Sequence, residues 1–165
     1  MRGRITILAL APLLGTFALF NAANLRINTS ASLPLGIYIV SSNGTFVEFC
    51  PDDQGLSAQR HYRARGVCPD GAAPLLKPVI GSPADEVVVS PAGIAVNGKL
   101  LPHTAPLDHD SEKRLLKHWP FRRYVTVPGT LWVASSYNPR SYDSRYLGPI
   151  LESAVRARLR PLIAW

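Results

Sequence analysis

Ser30 and Ser32 stand two positions apart in RINTSASLPLGIYIV (26–40), where either hydroxyl is a latent nucleophile. A serine attacks a carbonyl only if a base takes its proton, and the usual base is a histidine held by an aspartate. None of His61, His103, His109 and His118 lies in a stretch that suggests a catalytic turn. A lysine can replace histidine, but at an ordinary pKa of about 10.4 roughly one in a thousand carries a free amine at neutral pH, so it must be desolvated. Of the four internal lysines, Lys99 follows a hairpin turn and Lys113 and Lys117 sit in a charged segment, settings that keep an ammonium in water. Lys77 is set in PLLKPVIG; in a strand it would share an apolar face with Leu75 and Val79. It is either an amine that snorkels to the surface or a buried base.

The elements that must position these groups are mostly strands. Fifteen prolines and twelve glycines, scattered along 165 residues, imply short elements and frequent turns rather than a helical bundle, and 47% hydrophobic residues suffice for one core. LGIYIV reads as a strand leaving the serine segment, PVIG and EVVVS as buried strands, TLWVASS as another, and GIAVNGKLL as a hairpin turning at Asn97-Gly98. DHDSEKRLLKH (108–118) is the best internal helix candidate, with an exposed excursion the equal alternative; ILESAVRARL (150–159) reads as a short closing helix. The expected fold is mainly β, an antiparallel domain with short helices and insertions.

Residues 1–23 differ from the rest. Arg2 and Arg4 precede ITILALAPLLGTFALFNAA, which reads as a retained membrane anchor, because Phe20 and Asn21 occupy places where a signal-peptide cleavage site wants small residues. The run is close to the minimum of about 17–25 residues for a span, and Pro12 and Gly15 weaken its middle. The basic flank predicts a cytoplasmic N-terminus with residues 24–165 exported. Cys50 and Cys68 agree with export: paired in an oxidising compartment, they would close a loop worth about 3 kcal/mol. Two buried free thiols are the alternative. The cysteine spacing and the histidine contexts fit no metal pattern, and LDHD (107–110) reads as a solvated face. The net charge of +7 is spread over the anchor flank and paired positions, and VRARLRPL lacks interleaved aromatics, so an anionic membrane surface is a better partner than nucleic acid.

Three segments in order, NTSASLPLGIY, LLKPVIGSPADEV and SSYNPRSYDSRYLGP, resemble the nucleophile, lysine and Ser-x-Asp-Ser-Arg boxes of the signal peptidase I superfamily, and most of all its conjugative-transfer branch, the TraF-type peptidases. The resemblance spans about residues 1–155. It implies a membrane-anchored Ser/Lys endopeptidase with a signal peptidase I-like β domain on the periplasmic side of the inner membrane, acting without a cofactor. Ser32 would be the nucleophile, Lys77 the general base, and Ser30 the partner of the Ser32 N–H in an oxyanion hole. Ser141 would hydrogen-bond the lysine, and Asp143 would be an acidic residue important for catalysis. Arg145 falls on the box's arginine. The implied substrate is a pilin precursor or another membrane-bound preprotein, with other conjugation-apparatus proteins as further partners and cyclisation of the pilin as one outcome. A general signal peptidase and a non-catalytic envelope assembly subunit are the rival functions.

Electrostatics refines these expectations. A carboxylate touching Lys77 would raise its pKa and keep it protonated, so Asp143 should pair with Arg145 and orient loop groups instead. Leu33, Leu35 and Ile37 are candidates both for shallow substrate pockets and for the core. One position departs from the family: Ala84 stands where Gly is expected, and if that turn requires positive φ, alanine costs about 1 kcal/mol or more.

Overall fold

The structure is a computed structural model that describes residues 24–165. The anchor expected over 1–23 lies outside the described residues; among those described, no helix is long and apolar enough to cross a membrane.

β1 (Leu25–Asn28) and β2 (Gly36–Val40) form a hairpin, and its connection, 29–35, carries Ser30 and Ser32. β3 (Phe46–Phe49) pairs in register with β4 (Leu75–Gly81), so the chain between them leaves the sheet as a long excursion holding one helical turn, α1 (Leu56–Gln59). Cys50 and Cys68 are joined by a disulfide across the base of this excursion, their Cα atoms 5.6 Å apart. Next come β5 (Glu86–Ser90), β6 (Gly93–Val96), β7 (Lys99–Leu100), β8 (Arg122–Val125) and β9 (Thr130–Val133). A second helical turn, α2 (Ser144–Leu147), leads to β10 (Ile150–Leu151), a 3₁₀ turn over Glu152–Ala154, and β11 (Val155–Ala164).

The strands make two sheets: seven in the order β1-β2-β11-β3-β4-β9-β10, and four in the order β7-β6-β5-β8, with all of these neighbours antiparallel. β9 is shared between two cores because alternate side chains point to opposite faces. Leu131 and Val133 pack with Val47, Phe49 and Ile150, while Trp132 and Ala134 pack with Val87, Val89 and Ile94 of the smaller sheet. A third cluster, Leu33, Tyr38 and Leu159, lies under the serine connection.

The mainly β antiparallel fold agrees with the sequence, and so does the Asn97-Gly98 hairpin, whose two turn residues take φ of 48° and 80°. The closing helix does not form. Residues 155–160 alternate Val/Ala/Leu with arginine, and this period-two pattern makes a strand that inserts between β2 and β3. Pro161 is tolerated there because the register slips between Pro161 and Ile163. Residues 108–118 are likewise an excursion rather than a helix: Asp110 accepts the N–H groups of Glu112 and Arg114, and its carboxylate holds the Arg114 guanidinium at 2.6 Å. Side-chain bonds of this kind offer the backbone an alternative to helix.

Candidate functional site

Ser32 is buried on the 29–35 connection. Asn28, at the end of β1, organises that connection: its Nδ2 donates to the carbonyls of Ser30, Leu33 and Pro34, and its Oδ1 accepts from the N–H and Oγ of Ser30. Tyr38 adds a hydroxyl bond to the Pro34 carbonyl at 2.8 Å. Leu33 points inward and is 2% exposed, so it belongs to the core and not to a substrate pocket, whereas Leu35 is exposed.

Lys77 occupies the middle of β4 opposite Val47 and is 4% exposed. Burial brings its pKa down from 10.5 to about 8; the Asp143 carboxylate opposes this and the Arg145 guanidinium adds to it. The snorkelling alternative is excluded by that burial. Ser30, Ser32, Lys77 and Ser141 all line one cleft of about 840 Å³. Among the described residues no hydrogen bond joins Ser32 to Lys77. The bond expected from Ser141 to the lysine is also not made: Ser141 Oγ is buried without a partner.

Asp143 and Arg145 are fully buried and paired, Nε to Oδ1 at 2.9 Å and Nη2 to Oδ2 at 3.1 Å. Remaining guanidinium protons go to the carbonyls of His103, Pro139 and Ser135, so one side chain ties together the 103 loop, the end of β9 and the 139 loop. Asp143 in turn accepts the N–H of Ser135 and caps α2 through the Arg145 N–H. A buried ion pair is tolerated when its other donors and acceptors are satisfied in this way. The expected pairing of Asp143 with arginine rather than lysine is what the structure shows.

Sequence reasoning assigned no role to several residues. Ser144 Oγ, fully buried, accepts the Val133 N–H and docks the Ser-x-Asp-Ser-Arg segment on β9. Tyr62 packs at a tilt on Tyr142, which stacks on Tyr146, with ring centroids 5.2 and 5.5 Å apart, and all three line the cleft. The Tyr62 hydroxyl donates to Asp110, linking the disulfide-closed excursion to the 108–118 excursion. Arg26 and Arg156, also in the cleft wall, share one carboxylate, Glu48. Asn28, Ser144, Tyr142 and Tyr146 all lie inside the boxes, and the four-residue spacing of the two tyrosines is a local signal, whereas Tyr62 meets Tyr142 through tertiary structure alone. At the lysine box, Ala84 does take positive φ, 75°, in a turn held by Ser82 and Asp85.

The profile described as "Signal peptidase, peptidase S26" matches residues 3–165. The chain is 35% identical over 151 residues to "Plasmid transfer protein TraF" of Escherichia coli, covering 87% of this chain and 85% of that one. It is 33% identical over 149 residues to "Conjugal transfer protein TraF" of Agrobacterium fabrum, covering 85% and 82%. A signal peptidase I from Enterococcus faecalis is similar at 18% identity with a TM-score of 0.39, over 73% of this chain and 97% of that one. With a family profile matched along nearly its whole length and relatives above 30% identity, the chain belongs to the signal peptidase S26 family.

Proposed function

We propose that this chain is a Ser/Lys endopeptidase that processes a pilin precursor during conjugative transfer. The observation that carries the proposal is Lys77, an amine buried in an apolar strand with a pKa near 8, lining the same cleft as Ser32. At neutral pH about a tenth of such amines are free, against roughly one in a thousand in water. The neutral amine takes the Ser32 proton as Oγ attacks the scissile carbonyl. The resulting oxyanion is met by the Ser32 N–H and by the Ser30 hydroxyl, which must rotate away from Asn28 to reach it. Lys77 then returns the proton to the leaving amine. Water or an amine of the pilin itself resolves the acyl-serine, giving a cut or a cyclic product. Asp143 and Arg145 do no proton transfer; they hold the three segments behind Lys77.

The conjugal-transfer names of the relatives support this setting. Anchoring by residues 1–23, with the domain at the periplasmic face of the inner membrane, is part of the same proposal. Two features support it: the disulfide suits an oxidising compartment, and Ile27, Ile37 and Ile163 lie side by side across β1, β2 and β11 with Trp165 exposed beyond them, an apolar surface beside the serine connection.

The test is mass spectrometry of candidate pilin co-expressed with wild-type, Ser32→Ala or Ser30→Ala protein. Wild type should yield a truncated or cyclised product, Ser32→Ala none, and Ser30→Ala a rate lower by about 100- to 1000-fold. Processing that persists with Ser32→Ala overturns the nucleophile; processing of many exported proteins rather than the pilin points to the general signal peptidase.

A further inference from the structure

The serine connection should not hold its shape unaided. Over 29–35 the carbonyls of Ser30, Leu33 and Pro34 all point toward one place, and that place is filled by the Asn28 carboxamide, at 2.9, 3.2 and 3.0 Å. An amide nitrogen has two protons, so one of them is shared between two carbonyls. Without that group the three acceptors lose their common donor, and at least the buried Leu33 carbonyl is left to find a water. The other end of the same carboxamide faces Ser30. Oδ1 takes the Ser30 N–H at 3.2 Å, closing an Asx-turn, and the Ser30 hydroxyl at 3.0 Å.

We propose that Asn28 is a positioning residue for the reaction: through its amide it fixes the backbone that presents Ser32, and through its carbonyl oxygen it holds the Ser30 hydroxyl in a parked direction from which it turns to the oxyanion. This rests on the peptidase reading above. A hydroxyl has one proton to donate, so the Ser30 Oγ–H serves either Asn28 or the oxyanion. When it turns, the Ser30 N–H stays on Oδ1, and the connection keeps its shape while the donor changes partner. Asparagine suits both tasks because it offers donors and an acceptor from one rigid plane; alanine offers neither, and aspartate only the acceptor at neutral pH. The sheet does not depend on the side chain, since Asn28 pairs with Gly36 through the backbone and Tyr38 still holds Pro34. Lys77 lies on β4, and among the described residues no hydrogen bond joins it to Asn28 or to the serine connection.

The experiment measures kcat and KM on a synthetic peptide spanning the processed site of the pilin, below the Tm of each variant. Asn28→Ala should lower kcat by about 100-fold while KM stays within about threefold and the pH midpoint near 8 is unmoved. In a Ser30→Ala background the same substitution should cost less than about tenfold, because part of its effect passes through the missing hydroxyl. Asn28→Asp, which keeps the oxygen facing Ser30, should retain at least about tenfold more kcat than Asn28→Ala. A kcat within threefold of wild type for Asn28→Ala, a loss carried by KM, a full 100-fold loss repeated in the Ser30→Ala background, or aspartate no better than alanine overturns the proposal. If Ser32→Ala cleaves the peptide as well as wild type, the peptidase reading fails first and this proposal with it, a result distinct from any ranking at position 28.

Discussion

Replacing Lys77 with methionine should abolish processing and yet stabilise the protein. Methionine fills nearly the same unbranched volume without a charge, so the apolar surroundings of β4 remain packed. In the wild type, folding moves the lysine pKa from 10.5 to about 8. At about 1.4 kcal/mol per tenfold change in proton affinity, this corresponds to about 3 kcal/mol. The sign follows from proton counting: between pH 8 and 10.5 the unfolded chain binds the proton and the folded one does not, so wild-type stability rises with pH across that window. Below pH 8 both states are protonated and the full cost is present; above 10.5 neither is and the cost is gone. All other groups titrate alike in the two proteins and cancel in their difference. Thermal unfolding of wild type and Lys77→Met from pH 6 to 11 should therefore show a stability gap, favouring the variant by up to about 3 kcal/mol near neutrality, that closes by that amount at high pH. In Tm the closure is roughly 10 °C for a domain of this size. Wild-type cleavage should rise through the same midpoint, about tenfold per pH unit below pH 8, as the free amine becomes available. A gap that stays constant from pH 6 to 11 refutes the claim that Lys77 is carried buried and easily deprotonated.

Asp143→Asn should leave the Arg145 charge buried without its counter-ion and cost about 3–5 kcal/mol, read as a lowered denaturant midpoint; a change below about 1 kcal/mol would show the pair is not sealed from water. Ala84→Gly should raise stability by about 0.5–1 kcal/mol, because φ is 75° there, and chemical denaturation showing a loss would mean alanine is not strained. Gly148→Ala should lower Tm markedly, by about 2–4 kcal/mol in stability, since its Cβ would lie 2.4 Å from the Trp119 ring at a φ of 72°; an unchanged Tm would show that the ring yields freely.

Much of the site is legible in the sequence because its physics is local. The apolar residues flanking Lys77 single it out among the lysines and leave its place in the sheet to choose between a snorkelling amine and a buried base, and the need to keep a carboxylate off that amine is enough to pair Asp143 with Arg145. The Asn97-Gly98 turn is legible because both positions need positive φ. VRARL reads as helix because alanine, arginine and leucine are good helix formers, and the two-residue alternation that wins becomes decisive only when β2 and β3 offer unpaired edges. The tyrosine wall and the three anchor points of Arg145 are not legible, since residues about 80 positions apart, Tyr62 and Tyr142, meet only in the folded chain. The missing Ser141 bond shows the opposite limit, where a role carried over from relatives has no partner in the geometry.

β11 follows every other strand in the sequence and lies between β2 and β3. Until it has been synthesised and has emerged, these two strands cannot be bridged, and the hairpin that presents Ser32 has no neighbour on its inner side. The large sheet can close only from both flanks onto a strand delivered late, a non-local pairing of the kind that slows folding. Without β11 the serine hairpin and the strand that carries Lys77 would belong to separate sheets, so the cleft that Ser32 and Lys77 share exists only once the last strand has joined them.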